Sequence, residues 1–139
     1  MSDVAEQFSI AQEAAVRDSA ALAAAMGLAQ PRIYPVRPPN VAYPYLVIGE
    51  DQIIDDSDEC QEGSEIFSTL HLWDKPEPPS NRRARAIEAV LRRLLNADLA
   101  IAGHETIEHA YEGVRFLTDP DGATHGVLTF RYLTIPISG

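Results

Sequence analysis

The sequence is short of several things that would assign a function at once. It has one cysteine, Cys60, in 139 residues, which rules out an internal disulfide and a cysteine-built zinc cage and fits a reducing cytoplasm. It has one lysine, Lys75, among 11 basic residues, against 21 acidic ones. The resulting charge of -10 argues against nucleic-acid binding through a general basic surface and against attachment to anionic membrane. No apolar run approaches the ~20 residues of a membrane span, and no basic segment precedes a hydrophobic stretch at the N-terminus. A glycine-rich phosphate loop and a serine nucleophile elbow are also missing.

What is present is the material of a single folded domain spanning residues 1–139. A composition of 45% hydrophobic and 23% charged residues is that of a globular protein, and the length leaves no room for two cores. The charge is unevenly placed. Residues 50–65 carry Glu50, Asp51, Asp55, Asp56, Asp58, Glu59, Glu62 and Glu65 with no base, which predicts an acidic loop. Residues 82–93 carry Arg82, Arg83, Arg85, Arg92 and Arg93 against the single Glu88. Three of these arginines fall in the first turns of an expected helix, where the macrodipole is positive. Each costs ~0.3–1 kcal/mol there unless an anion faces it. The arginines are then either screened and tolerated, or the acidic loop of the same or a neighbouring copy docks against them.

Periodicity and punctuation predict the order α-β-β-α-β-β, an α+β fold with two helices on one face of a four-stranded, mainly antiparallel sheet. The first helix covers residues 3–26, with Asp3 or Ser9 as its cap and Gly27 at its C-terminus. Ten alanines by Ala29 give it a thin face for close approach to a sheet. The proline-rich connector at 31–39 allows at most a short edge strand at Ile33 and Tyr34. Strands are expected from Tyr43 to about Ile54 and over 66–73. A stiff connector at 75–79 then leads to a helix over 81–95, capped by Ser80, with Glu88 on its wet side. Strands over 106–117 and 127–135 follow, joined at the turn Asp119-Pro120-Asp121-Gly122. In the last strand Leu128, Phe130 and Tyr132 face the helices, which leaves Val127, Thr129, Arg131 and Leu133 on a half-polar face with Thr69 and His71. That face is either solvated or a docking surface.

Chemical motifs are weak. His104 and His109 are five apart, which places them on opposite faces of a strand and out of zinc-protease register on a helix. The run from Asp56 to Gly63 has the composition of a calcium loop, but Cys60 and Thr69 fall where ligands are needed. Cys60 lies among carboxylates, which oppose thiolate formation. No catalytic, cofactor-binding or metal-binding residue is assigned, and an enzyme is not expected. Trp73 is either a rim residue of the core or an interface anchor.

The ordered set of motifs resembles the tail-completion, or tail-terminator, proteins of long-tailed phages and gene transfer agents. The likeness rests on the alanine-rich helix, on Arg32-Ile33-Tyr34 and on Tyr43-Pro44-Tyr45-Leu46-Val47-Ile48-Gly49. It continues through the acidic stretch before Leu70-His71-Leu72-Trp73, the Asp119-Pro120-Asp121-Gly122 turn and His125-Gly126-Val127-Leu128-Thr129-Phe130-Arg131-Tyr132. The longer proline segment and the arginine-loaded helix start depart from the family's pattern. The resemblance implies a structural virion protein, assembled in the host cytoplasm, that forms a ring, typically a hexamer, on the head-proximal end of the tail tube. Its partners would be further copies of itself, the tube protein and the head-tail connector, with DNA only as cargo in the lumen and no membrane. Asp55, Asp56, Asp58, Glu59, Trp73, Arg82, Arg83 and Arg85 are the candidate interface residues. A neck connector without a terminator role, and a small cytoplasmic ligand-binding domain or enzyme, are the competing readings.

Overall fold

A computed structural model describes residues 3–137. The elements in chain order are α1 (Val4–Arg17), α2 (Ala20–Met26), β1 (Ile33–Tyr34), β2 (Tyr45–Asp55), β3 (Ser64–Asp74), α3 (Arg82–Leu95), β4 (His104–Thr118) and β5 (Thr124–Pro136). Asp3 caps α1 by accepting from the Ala5 amide. The expected single N-terminal helix is two. Ser19 stops α1 from running through, because its hydroxyl accepts from the Leu22 amide and starts α2 as a fresh N-cap. Gly27 closes α2 in the left-handed conformation at φ 72°.

The sheet has five strands in the order β1-β2-β3-β5-β4, one more than the four expected. The addition is β1, a two-residue parallel edge beside Leu46 and Val47 of β2. All other pairings are antiparallel. α3 carries the chain from β3 across the sheet to β4, and β5 then inserts between them. The tight Asp119–Gly122 turn makes this insertion possible: the Gly122 amide donates to the Asp119 carbonyl at 2.9 Å.

The helices cover one face. Phe8, Val16, Leu22 and Met26 from α1 and α2 meet Ala84, Ile87, Leu91 and Leu95 from α3 over Leu46, Ile66, Leu70, Leu72, Leu128, Phe130 and Tyr132 of the sheet, all fully buried. Each of the Val, Leu, Ile, Phe and Met side chains among them contributes ~1.5–3 kcal/mol by leaving water. Two polar links fix the layers. Gln12 donates to Ser68 at 2.7 Å, and the Tyr132 hydroxyl donates to the Leu95 carbonyl at the end of α3. Gly126 sits tightly against β3, since a Cβ there would stand 3.0 Å from Leu72 Cγ. Val127, Thr129, Arg131 and Leu133 lie half-exposed on the other face, as the alternation predicts.

Candidate assembly interface

The acidic stretch divides into a strand part and a loop part. Residues 50–55 belong to β2 and Ser64 and Glu65 to β3, so the loop is 56–63 rather than 50–65. Paired carboxylates explain the strand part: Glu50 contacts His71 at 3.0 Å, and Glu65 is held by Arg131, which also faces Glu108 at 3.6 Å. Asp51 turns toward the helices, where burial raises its pKa against a lowering hydrogen bond from Ser68. The loop itself is ordered by local bonds. The Ser57 hydroxyl and amide both donate to Asp55, which holds that carboxyl below its ordinary pKa. Asp58 accepts from the Cys60 and Gln61 amides at 2.8 and 2.7 Å. Asp56, Glu59 and Glu62 make no side-chain hydrogen bond or ion pair among the described residues and project as free charge.

The three arginines at the start of α3 separate into different roles. Arg83 is not free. Its guanidinium grips Asp74 twice, Nε at 2.9 Å and Nη2 at 2.6 Å, and the Asp74 side chain is 0% exposed. Asp74 is therefore the anion that answers the positive helix terminus, and it raises the Arg83 pKa through the hydrogen bond they share. Arg85 lies over the Phe116 ring at 4.7 Å, and Arg82 is exposed with no partner among the described residues. Neither the position of Asp74 nor its pairing is legible in local sequence. A lone acid nine residues before an arginine, across a proline connector, was the available signal.

Trp73 is 5% exposed and is a rim residue of a second small core, not a free anchor. Its ring stacks on Tyr45 at 5.3 Å and His125 at 4.3 Å, its Nε1 donates to Asp119 at 3.0 Å, and Arg37 covers it at 4.5 Å. Glu88 also departs from expectation. It is buried, accepts from the Tyr111 hydroxyl at 2.7 Å, and pushes the Tyr111 pKa far up together with the dominant effect of burial. Its Arg92 partner lies at 3.6 Å. The histidines of β4 fall on the same side of the sheet, not opposite sides. A bulge between Thr106 and Glu108 adds a residue, so His104 faces Pro136 and His109 faces Tyr132. Those positions are ~13 Å apart along β5, too far to share an ion. Among the described residues no group of three or more His, Cys, Asp or Glu is arranged to hold a metal, and no helix is long and apolar enough to cross a membrane.

The decisive geometry is the separation of the two charged patches. The acidic loop sits beyond Ser64 at one end of β3; Asp74 and the Arg83 contact lie at the other end. Ten strand steps put the patches ~33 Å apart. Within one chain they cannot meet.

The domain is thus a helix-backed sheet with free acids beyond one end of β3 and arginines near the other. The sequence matches the family of tail completion protein gp17 over residues 13–135, and the chain belongs to that family. It is a structural protein of phage-type tails. The fold is similar to that of a chain in the virion of a native gene transfer agent particle, with a TM-score of 0.82 and 21% identity over 97% of this chain and 99% of that one. No curated protein matches.

Proposed function

We propose that this protein is a tail terminator: copies join head-to-tail into a ring, with six as the working number, on the head-proximal end of the tail tube. The ring stops tube growth and presents a surface to the head-tail connector. The observation that carries this reading is the ~33 Å separation, along β3, of the unpaired acids of the 56–63 loop from the exposed Arg82 and Arg85. A heterologous contact needs complementary patches on different sides of one subunit, and it closes into a ring when its rotation allows. Asp56, Glu59 and Glu62 on one copy then meet Arg82 and Arg85 on the next, and opposite patches set register. Arg83 stays with its own Asp74, and Asp55 and Asp58 hold the loop in shape. A net charge of -10 keeps DNA from adhering as it passes through the lumen.

Charge reversal tests the interface. Arg82→Glu with Arg85→Glu removes rings seen by negative stain and in solution mass, and adding Asp56→Arg with Glu59→Arg restores them. Rings unaltered by the first pair refute the contact. Binding to tube protein separates a terminator from a neck connector, which would bind the head side only.

A further inference from the structure

On the open face of the sheet two histidine rings meet where four parts of the chain converge. His71 Nδ1 (β3) lies 2.8 Å from His125 Nε2 (β5), and His71 Nε2 lies 3.0 Å from Glu50 on β2. His125 Nδ1 faces Asp119 of the β4–β5 turn at 3.5 Å. Asp119 also holds the Trp73 indole, and Arg37 covers that ring and stands 3.7 Å from Asp119. Tyr45 stacks beside Trp73 and accepts from Arg37 at 2.9 Å, while β4 places Leu117 opposite His125 and Arg115 opposite Val127.

The proton positions follow from what each group can do. A carboxylate only accepts, so the Glu50 contact requires a proton on His71 Nε2. Neutral His71 then has a bare Nδ1, which accepts from His125 Nε2–H. Neutral His125 is left with a bare Nδ1 facing Asp119, in keeping with the longer 3.5 Å approach. One added proton has a place: His125 Nδ1, against Asp119. A second has none, because His71 Nδ1 is already occupied by the His125 N–H at 2.8 Å. Two N–H groups cannot point at each other across that gap.

We propose that His71 and His125 form an acid-sensitive latch that accepts one proton while closed and opens on taking the second, freeing the Asp119 turn and the Arg37 segment from the sheet. Burial, followed by the charge of Arg37, lowers the His125 pKa against the pull of Asp119. In the unfolded chain each ring takes a proton freely. While the latch stays closed, the folded pair binds one proton fewer than the unfolded one, and its contribution to the folding constant falls about tenfold per pH unit below the unfolded histidine range.

The test counts protons on the full chain by NMR of the histidine rings, titrated from pH 8 to pH 4.5 while the fold persists. His71 and His125 should move together with the amplitude of one protonation. Loss of that coupling should coincide with faster amide exchange at Ala123 and His125. Two independent, complete titrations with the turn still protected overturn the proposal. His71→Gln should remove about tenfold per pH unit from the acid dependence of folding, and an unchanged slope also overturns it. The proton count on the unmodified protein decides the matter should the variant fold poorly.

Discussion

Replacing Arg83 with methionine keeps most of the side-chain volume on α3 and removes only the guanidinium. Asp74 would then lie buried with 0% side-chain exposure and a single remaining bond, from the Lys75 amide at 2.9 Å. Stripping one partner from a fully buried pair costs ~3–5 kcal/mol. Here the arginine side is 38% exposed, so water reaches the gap and the expected cost drops to ~2–3 kcal/mol. For a chain of this length the unfolding entropy is ~0.3 kcal/mol/K, which converts that cost to a Tm lower by ~7–10 °C. Arg82→Ala, one residue away and exposed, should stay within ~0.5 kcal/mol of the parent. Adding Asp74→Asn to Arg83→Met should recover part of the loss, because the stranded charge is gone. Urea denaturation of the three variants measures all of this. An Arg83→Met protein as stable as Arg82→Ala would refute the assignment of Arg83 to the fold rather than to the interface.

Three further outcomes follow from buried polar groups and close packing. Tyr111→Phe strands the Glu88 carboxylate with only Arg92 at 3.6 Å, and should lower stability by ~1–2 kcal/mol in the same assay. Burial raises the folded pKa of Asp51, so its contribution to stability is present at low pH and is lost as pH rises through that raised value. Asp51→Asn should accordingly match or exceed the parent Tm at pH 7, with its advantage over the parent shrinking toward acid pH; a Tm several degrees lower at pH 7 contradicts this. Gly126→Ala forces Leu72 and Phe116 to move from a 3.0–3.3 Å approach, with an expected loss of ~1–3 kcal/mol by calorimetry.

Local chemistry is what the sequence displays best. Asp3 and Gly27 cap where a helix start and stop require them, and the Asp119–Gly122 turn joins its two strands. The alternation in β3 and β5 sorts the two faces correctly, because one face is fully buried and a one-residue slip would invert it. The break at Ser19 is marked only by the cap-type pair Asp18-Ser19, and the alanines on both sides, whose helix propensity is high, mask it. Partnerships across sequence are hidden altogether. Glu88 has the spacing of a surface pair with Arg92, but its burial is decided by Tyr111 on another element, 23 residues away. His71 and His125 are 54 residues apart and meet only because β5 inserts beside β3. For the interface, the two charge clusters were visible as clusters. Their placement at opposite ends of β3, and the withdrawal of Arg83 and Trp73 into the fold, required the strand register.

The central claim is that this protein ends a growing tube. Tube protein from the same particle, polymerised with increasing amounts of this chain, gives the most direct measurement through tube length in negative stain. The account predicts tubes that shorten with dose and carry ring-shaped density at one end, with Arg82→Glu/Arg85→Glu abolishing both effects. Tubes of unchanged length with bare ends would contradict it.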